Sequence, residues 1–208
     1  MESVKKEALI YFMLGVILAI WVGVLHFTET PLAINWEAIT KLPDVVTIFV
    51  VLSVIFTKWL WRLPVFRGWL VTVPYIQGTW HGDLQSTWVN PKTGAEIPPL
   101  KMILVVRQTF STMSCTLFTK ESESFSRAAQ IAFEKETGLV TVSYNYTNRS
   151  KADIRHRSPI HDGAAHLRVV RVPTRMLEGE YWTGRCTTGK IKLLYRTKDL
   201  LEAFPEDL

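Results

Sequence analysis

The sequence predicts a membrane-anchored all-β protein, in which two N-terminal transmembrane helices precede one eight-stranded antiparallel up-and-down β-barrel. Two long apolar runs, residues 8–27 and 45–61, lie near the start of the 208-residue chain. From Tyr75 onward the pattern changes to short alternating stretches, separated by turn formers at intervals of roughly ten residues. The predicted organisation is a two-helix transmembrane region at 1–67, a linker at 68–74 and a β-barrel domain at 75–208.

The first predicted span covers residues 8–27, which include no Asp, Glu, Lys or Arg. A helix of this length crosses the hydrocarbon layer of about 30 Å. A cleaved signal peptide is the alternative, because Lys5 and Lys6 resemble its charged start. The apolar run is longer than the roughly 7–15 residues of a signal peptide's apolar region, so we predict a retained span.

The second predicted span, residues 45–61, contains one charged residue, Lys58, whose aliphatic stem can reach the headgroups. Trp59 and Trp61 follow at the depth that indole rings prefer, and Trp36 can do the same in the connecting loop.

Lysine and arginine are enriched in cytoplasmic flanks, so their distribution predicts the orientation. They precede the first span and lie near the end of the second or after it, whereas the loop between the spans carries one. In chain order they are Lys5, Lys6, Lys41, Lys58, Arg62 and Arg67. The N-terminus and the barrel are therefore predicted to be cytoplasmic. The two cysteines, Cys115 and Cys186, agree with a reducing compartment and are predicted to be small buried apolar residues.

Eight strands are predicted from period-two alternation and β-branched or aromatic residues. They are Ile76–Thr87, Lys101–Thr109, Ser111–Thr119, Ser124–Glu134, Leu139–Tyr146, Ala164–Val172, Arg175–Arg185 and Lys190–Arg196. Short turns join them at residues 90–94, 136–138, 173–174 and 187–189, and the longer segment Asn148–Gly163 is predicted to be a mobile loop or rim. Closure into a barrel removes the exposed sheet edges.

Gln77-Gly-Thr-Trp80 and Glu178-Gly-Glu-Tyr-Trp-Thr-Gly-Arg185 resemble the first and penultimate strands of lipocalin- or avidin-like calycin barrels. In such patterns a glycine permits a close strand bend and a large ring seals one barrel end. An interior of this size holds packed side chains or one small ligand.

Several chemistries are not expected. No Gly-Lys-Ser or Gly-Lys-Thr motif is present, the histidines at 156, 161 and 166 lack the spacing of a metal site, and neither cysteine adjoins a histidine. We therefore predict no enzyme activity, no metal site and no cofactor.

Arginine and aromatic residues are interleaved on the later strands, a combination that suits phosphate binding and base stacking. Alternation places Tyr181, Thr183 and Arg185 on the inner face of the seventh strand, with Arg185 toward the barrel mouth and Trp182 outside. Either Arg168 or Arg171 shares a face with barrel-lining residues, depending on register. The candidate ligand-binding residues are Trp80, Arg107, Tyr144, Tyr146, Arg168, Arg171, Tyr181, Thr183, Arg185 and Tyr195.

The chain resembles a bacterial effector family in three features. These are the paired spans, Gly78-Thr-Trp80 at the start of the β region, and Gly179-Glu-Tyr-Trp-Thr-Gly184 near its end. The family consists of the two-transmembrane, β-strand-rich effectors of cyclic-oligonucleotide-based anti-phage signalling systems (CBASS), functionally linked to cGAS-like nucleotidyltransferases. The resemblance implies a minimal β-barrel that binds a cyclic dinucleotide made on infection. The chains would then form a homo-oligomer in the lipid bilayer of the inner membrane and disrupt it, killing the cell by abortive infection.

Two other functions stay open. The first is a membrane-tethered, lipocalin-like carrier or sensor of an apolar ligand, and the second is a structural assembly partner whose barrel is filled by its own side chains. No DNA or RNA partner is expected. The barrel region carries eighteen Lys and Arg against fourteen Asp and Glu, a balance that favours the approach of an anion.

Overall fold

The computed structural model describes residues 5–206, so the first four and last two residues of the predicted domain ranges lie outside the described part. The chain divides into two compact units, with the boundary between Val73 and Pro74.

The N-terminal unit is helical. Its elements are α1 (Lys6–Phe27), α2 (Trp36–Thr40), α3 (Leu42–Lys58) and two short 3₁₀ turns, Leu60–Arg62 and Pro64–Phe66. The helix α2 was not predicted; Asn35 starts it by accepting a hydrogen bond from the Ala38 backbone N–H at 2.8 Å.

The first apolar run forms α1 as predicted, and the second forms α3 with shifted bounds. Within residues 5–206, Glu7–Phe27 is the one helix long and apolar enough to cross a membrane by its length and composition. The helix α3 has 17 residues and ends at Lys58, so the predicted span 45–61 begins inside the helix and Trp59–Trp61 lie beyond its end. Pro43 lies in its first turn, where its missing N–H costs no helical hydrogen bond.

An aromatic cluster joins the elements of this unit. The ring of Phe12 on α1 lies 5.9 Å from Phe56 on α3, from Phe66 and from Trp69, between centroids. Both long helices leave large apolar side chains exposed elsewhere: Ile10, Tyr11, Leu14, Leu18 and Val22 on α1, and Val46, Val50, Val51 and Val54 on α3.

The C-terminal unit is a closed barrel in which every strand pairs antiparallel with its sequence neighbours and β1 pairs with β8. The strands are β1 (Gly78–Ser86), β2 (Leu100–Gln108), β3 (Met113–Thr119), β4 (Ser122–Phe133), β5 (Val140–Ser150), β6 (His161–Val170), β7 (Met176–Thr183) and β8 (Thr188–Thr197). The predicted eight-stranded antiparallel barrel is confirmed.

A row of alternating charges crosses five strands on the outer surface. Register places Arg168 opposite Glu178, Glu178 opposite Lys192, Lys192 opposite Asp83, and Asp83 opposite Lys101. Arg168 donates to Glu178, and the Lys101 and Asp83 side chains lie 2.8 Å apart. Opposite charges facing each other support this register, because a one-residue slip would break the row and turn charged side chains inward.

The main departure from the predicted bounds concerns residues 148–163. Asn148–Ser150 continue β5 and His161–Gly163 begin β6, so the connection between these strands is 151–160. The turn between β7 and β8 occupies 184–187 and not the predicted 187–189.

The barrel has two ends, which we name by their connections. The mouth is the end with the connections 87–99, 120–121, 151–160 and 184–187. The closed end is the opposite one, with the connections 109–112, 134–139 and 171–175.

Candidate ligand-binding site

Trp80 fills the closed end. Its side chain is 1 % exposed, and its indole N–H donates to the Ile76 carbonyl at 3.0 Å. The ring packs edge-on against Tyr195 at 5.1 Å, and the Arg175 guanidinium lies 3.8 Å from the centroid of the Tyr195 ring. Gln108 closes the same end by hydrogen bonds to the Ile76 N–H and the Pro74 carbonyl. A ligand therefore has no entry here.

The inner wall changes character between the two ends. Toward the closed end it consists of large apolar side chains, among them Met102, Leu104, Ile131, Leu167 and Leu193. Toward the mouth many inward positions are small or hydroxylated, among them Ser86, Ser124, Ser126, Ala129, Gly163, Ala165 and Gly189. Among residues 74–206 no charged side chain is buried. The mouth half therefore suits uncharged polar groups better than phosphate.

Two tyrosines lie on this inner wall over glycines of the neighbouring strands. A Cβ added to Gly163 would lie 2.6 Å from Cζ of Tyr146, and one added to Gly189 would lie 2.4 Å from Cε1 of Tyr181. Each tyrosine is 7 % exposed. Glycine is needed at both positions because the ring occupies the space that a side chain would take.

A polar strip runs beside these rings on β4 and β5. The Asn148 amide donates to the hydroxyl oxygens of Ser122 and Ser124, and the Cys115 backbone N–H donates to Ser126 at 2.9 Å. Ser124 is 3 % exposed. Inward polar groups that are already hydrogen-bonded hold a fixed surface of donors and acceptors.

Arginine and lysine dominate the rim of the mouth. The four connections there carry six of these residues, Lys92, Lys120, Lys151, Arg155, Arg157 and Arg185, against Glu96, Glu121 and Asp153. Arg185, in the turn after β7, donates to the Ser158 hydroxyl at 3.3 Å, and Arg157 pairs with Glu121 at 2.8 Å. An excess of cations around an uncharged interior attracts anions to the rim.

Burial disfavours the charged forms of Tyr146, Tyr181 and His161. Desolvation raises the pKa of Tyr146 to about 12, although the nearby Arg185 charge acts in the opposite direction. Burial also raises the pKa of Tyr181, although a hydrogen bond from Ser86 and the charge of Arg185 both act to lower it. His161 has a lowered pKa, first because of burial, and its Nδ1 donates to the Pro159 carbonyl at 2.8 Å.

The ten predicted site residues do not form one cluster. Tyr146, Tyr181, Thr183 and Arg185 meet at the mouth, where the charge of Arg185 acts on both tyrosines. Tyr144 lies next to Tyr146, with 5.9 Å between ring centroids. The remaining five lie elsewhere: Trp80 and Tyr195 at the closed end, Arg107 and Arg168 exposed on the outer wall, and Arg171 exposed beyond the end of β6.

The prediction that Arg168 or Arg171 lines the barrel was therefore wrong for both. Leu167 and Val169 take the inward positions of β6, and the strand ends before Arg171. Arg185 was placed on the inner face of the seventh strand, yet β7 ends at Thr183 and Arg185 lies in the following turn.

The serines and Asn148 of the polar strip were missed. The signal was present as strict alternation, with Ser122, Ser124 and Ser126 on one strand and Tyr144, Tyr146, Asn148 and Ser150 on the next. These polar residues do not raise strand propensity, so the fifth predicted strand ended at Tyr146.

An outer concavity of about 570 Å³ lies across β4 to β7 and shares Tyr146, Gly163 and Thr183 with the mouth. It also includes outward-facing residues such as Arg127, Asn145 and Trp182. The Arg127 guanidinium donates to Thr147, which donates to Asp162 at 2.6 Å. Its polar groups are thus partly occupied by one another, whereas the mouth combines rings, hydroxyls and cations.

Comparison with known proteins identifies the family of the chain. The family described as "Cap15, cyclic dinucleotide receptor domain" matches residues 71–194. The chain is 29 % identical over 150 residues to CD-NTase-associated protein 15 of Staphylococcus schleiferi, covering 71 % of this chain and 75 % of that protein. It is 25 % identical over 166 residues to CD-NTase-associated protein 15 of Escherichia albertii, covering 71 % and 76 %. The resemblance seen in the sequence is confirmed, and the chain belongs to the Cap15 family of cyclic dinucleotide receptor domains.

Proposed function

We propose that the barrel binds a cyclic dinucleotide at its mouth and that binding activates an anti-phage effector of the inner membrane. The observation that carries the proposal is the grouping of Tyr146, Tyr181, Thr183 and Arg185 at the end of the barrel opposite to the one that Trp80 fills. Membership in a receptor-domain family supports it.

The division of charge suggests how such a ligand lies. The interior holds rings and hydroxyls but no buried charge, whereas the cations lie on the rim. Desolvating a phosphate without a paired cation is costly, so the phosphates stay at the rim near Arg185. The bases enter the interior and stack on Tyr146 and Tyr181.

The helical unit would supply the response. We infer that α1 and α3 both span the bacterial inner membrane, with the N-terminus and the barrel in the cytoplasm. The exposed apolar side chains of both helices suit a lipid environment. A Cβ added to Gly15 or Gly23 meets no atom within 4 Å, so this face of α1 is open to a second copy. Ligand-driven homo-oligomerisation would then disrupt the membrane and kill the infected cell without catalysis.

The apolar half of the barrel favours one alternative, a membrane-tethered carrier or sensor of an apolar ligand. Mass spectrometry of molecules that co-purify with the full chain separates the two proposals, because a lipid supports the carrier and a phosphorylated nucleotide supports the effector.

The direct test is isothermal titration of the detergent-solubilised full chain against a panel of cyclic dinucleotides. Tyr181 and Trp182 are adjacent on β7 but lie on opposite faces, so Tyr181→Leu and Trp182→Leu form a matched pair. Loss of the aromatic ring on which one base stacks weakens binding by about 5- to 150-fold. We expect this loss of affinity in Tyr181→Leu and not in Trp182→Leu. Loss in Trp182→Leu alone would place the ligand in the outer concavity, and no binding by the wild-type chain would refute the proposal.

A further inference from the structure

The Tyr144 hydroxyl is buried without a hydrogen-bond partner in the described part of the chain. The residue is 3 % exposed and points inward from β5, one inward position deeper than Tyr146. A buried polar group without a partner destabilises the fold, and phenylalanine would fill the same space without that cost. The hydroxyl therefore calls for an explanation other than packing.

The neighbours that face Tyr144 across the sheet are small, and no charged group acts on it. Its register partners on the two neighbouring strands are Ala129 and Ala165, both small. The titratable groups that act on it are the Cys115 thiol, itself buried, and Tyr146. An uncharged ligand edge is the group that this environment accepts.

We propose that the Tyr144 hydroxyl reads the edge of one nucleobase, which enters the barrel past Tyr146 and hydrogen-bonds to it. This inference rests on the proposed function, because it assumes that the mouth binds a cyclic dinucleotide. A phenol can donate and accept, so it can pair with a base carbonyl, a ring nitrogen or an exocyclic amine. Tyr144 is then the residue that discriminates between bases, while Arg185 binds any phosphate.

The test is Tyr144→Phe in the detergent-solubilised full chain, titrated with cyclic di-AMP, cyclic di-GMP, cyclic di-UMP and the mixed dinucleotides. Tyr195→Phe makes the same change at the closed end and serves as the control. We expect Tyr144→Phe to weaken the tightest ligand by about tenfold and to reduce the ratio between the best and the second ligand, as loss of one hydrogen bond requires. Its melting temperature should equal or exceed that of the wild type, because the unpartnered hydroxyl is gone.

Three results would overturn the inference. Wild-type affinity and selectivity in Tyr144→Phe would show that the hydroxyl does not touch the ligand, while the proposed function would stand. A lower melting temperature in Tyr144→Phe would show that the hydroxyl has a structural partner, such as a trapped water. Failure of the wild-type chain to bind any cyclic dinucleotide would remove both proposals together.

Discussion

Replacing Arg185 by alanine separates ligand binding from barrel stability. In the structure its guanidinium makes one hydrogen bond, of 3.3 Å to Ser158, and the side chain is exposed. Losing such a contact costs at most about 0.5 kcal/mol of folding stability. A charge-assisted hydrogen bond to a phosphate contributes about 1.5–3 kcal/mol, so Arg185→Ala should raise the Kd by roughly 10- to 150-fold. Arg185→Lys keeps the charge but loses the planar guanidinium, so its Kd should lie between that of the wild type and that of Arg185→Ala.

Isothermal titration of the solubilised full chain measures the affinity, and thermal unfolding followed by circular dichroism measures the stability. Arg168→Ala is the matched control, because Arg168 lies on the outer wall and pairs with Glu178. The affinity lost in Arg185→Ala should diminish at high salt, since a rim charge is screened. An affinity within about twofold of wild type, or an equal loss in Arg168→Ala, would refute the phosphate role of Arg185.

Three further predictions concern other parts of the molecule. A maleimide should label one thiol in the native chain and two after denaturation, because Cys186 is exposed whereas burial raises the pKa of Cys115 to about 12; two native labels would contradict the packing. Because the pKa of His161 is lowered in the folded chain, the unfolded chain binds more protons than the folded chain as the pH falls below the ordinary histidine value of 6.5. The free energy of unfolding, measured in urea, should therefore decrease as the pH drops through this range. The decrease per pH unit should be smaller in His161→Gln. Gly15→Leu should reduce the maximal leakage of liposomes at saturating cyclic dinucleotide without changing the Kd of the ligand. Val22→Leu, at an exposed position that already holds a large side chain, should leave the leakage unchanged. Wild-type leakage in Gly15→Leu would exclude this face of α1 from assembly.

Strand number and order could be predicted because the alternation of buried residues is local. In β7, Leu177 and Tyr181 point inward while Glu180 and Trp182 are exposed, as two-residue periodicity requires. The prediction that Trp182 faces outward is confirmed. The same argument failed where a strand was polar on its inner face, as at Asn148, because a site for a polar ligand does not resemble a core.

The turn between β7 and β8 shows why glycine alone did not locate it. Cys186 adopts the left-handed conformation with φ 58°, which glycine normally takes, while Gly189 lies inside β8. Gly189 is needed there because an added Cβ would lie 2.2 Å from the Gln85 carbonyl oxygen and 2.4 Å from the Tyr181 ring. The prediction that Cys186 is buried was wrong for the same reason, whereas that for Cys115 is confirmed.

The positions of the arginines depend on register and strand ends, which neighbouring strands decide. Arg168 faces Glu178 across the outer surface, and this pairing could not be derived from either strand alone. The closing role of Trp80 was suggested by the Gly-Thr-Trp pattern, but the Tyr195 and Arg175 side chains that complete the closed end come from distant segments.

Closure of the sheet limits where ligand binding can change the structure. Because β1 pairs with β8, widening the wall would break backbone hydrogen bonds, each worth about 1 kcal/mol. The connection 151–160 is held to its neighbours by a backbone hydrogen bond from the Lys151 N–H to the Glu121 carbonyl at 2.9 Å and by the buried Ile154 side chain. Its exposed side-chain contacts, such as Arg157 to Glu121, contribute only about 0–1 kcal/mol.

Under the proposed function, a phosphate on Arg185 competes for the guanidinium that now binds Ser158 in this connection. A ligand shifts an equilibrium only by its differential affinity for the two states, and a wall that is the same in both contributes none. The resting and assembled forms should therefore differ at the connections of the mouth and keep the same strand order and register.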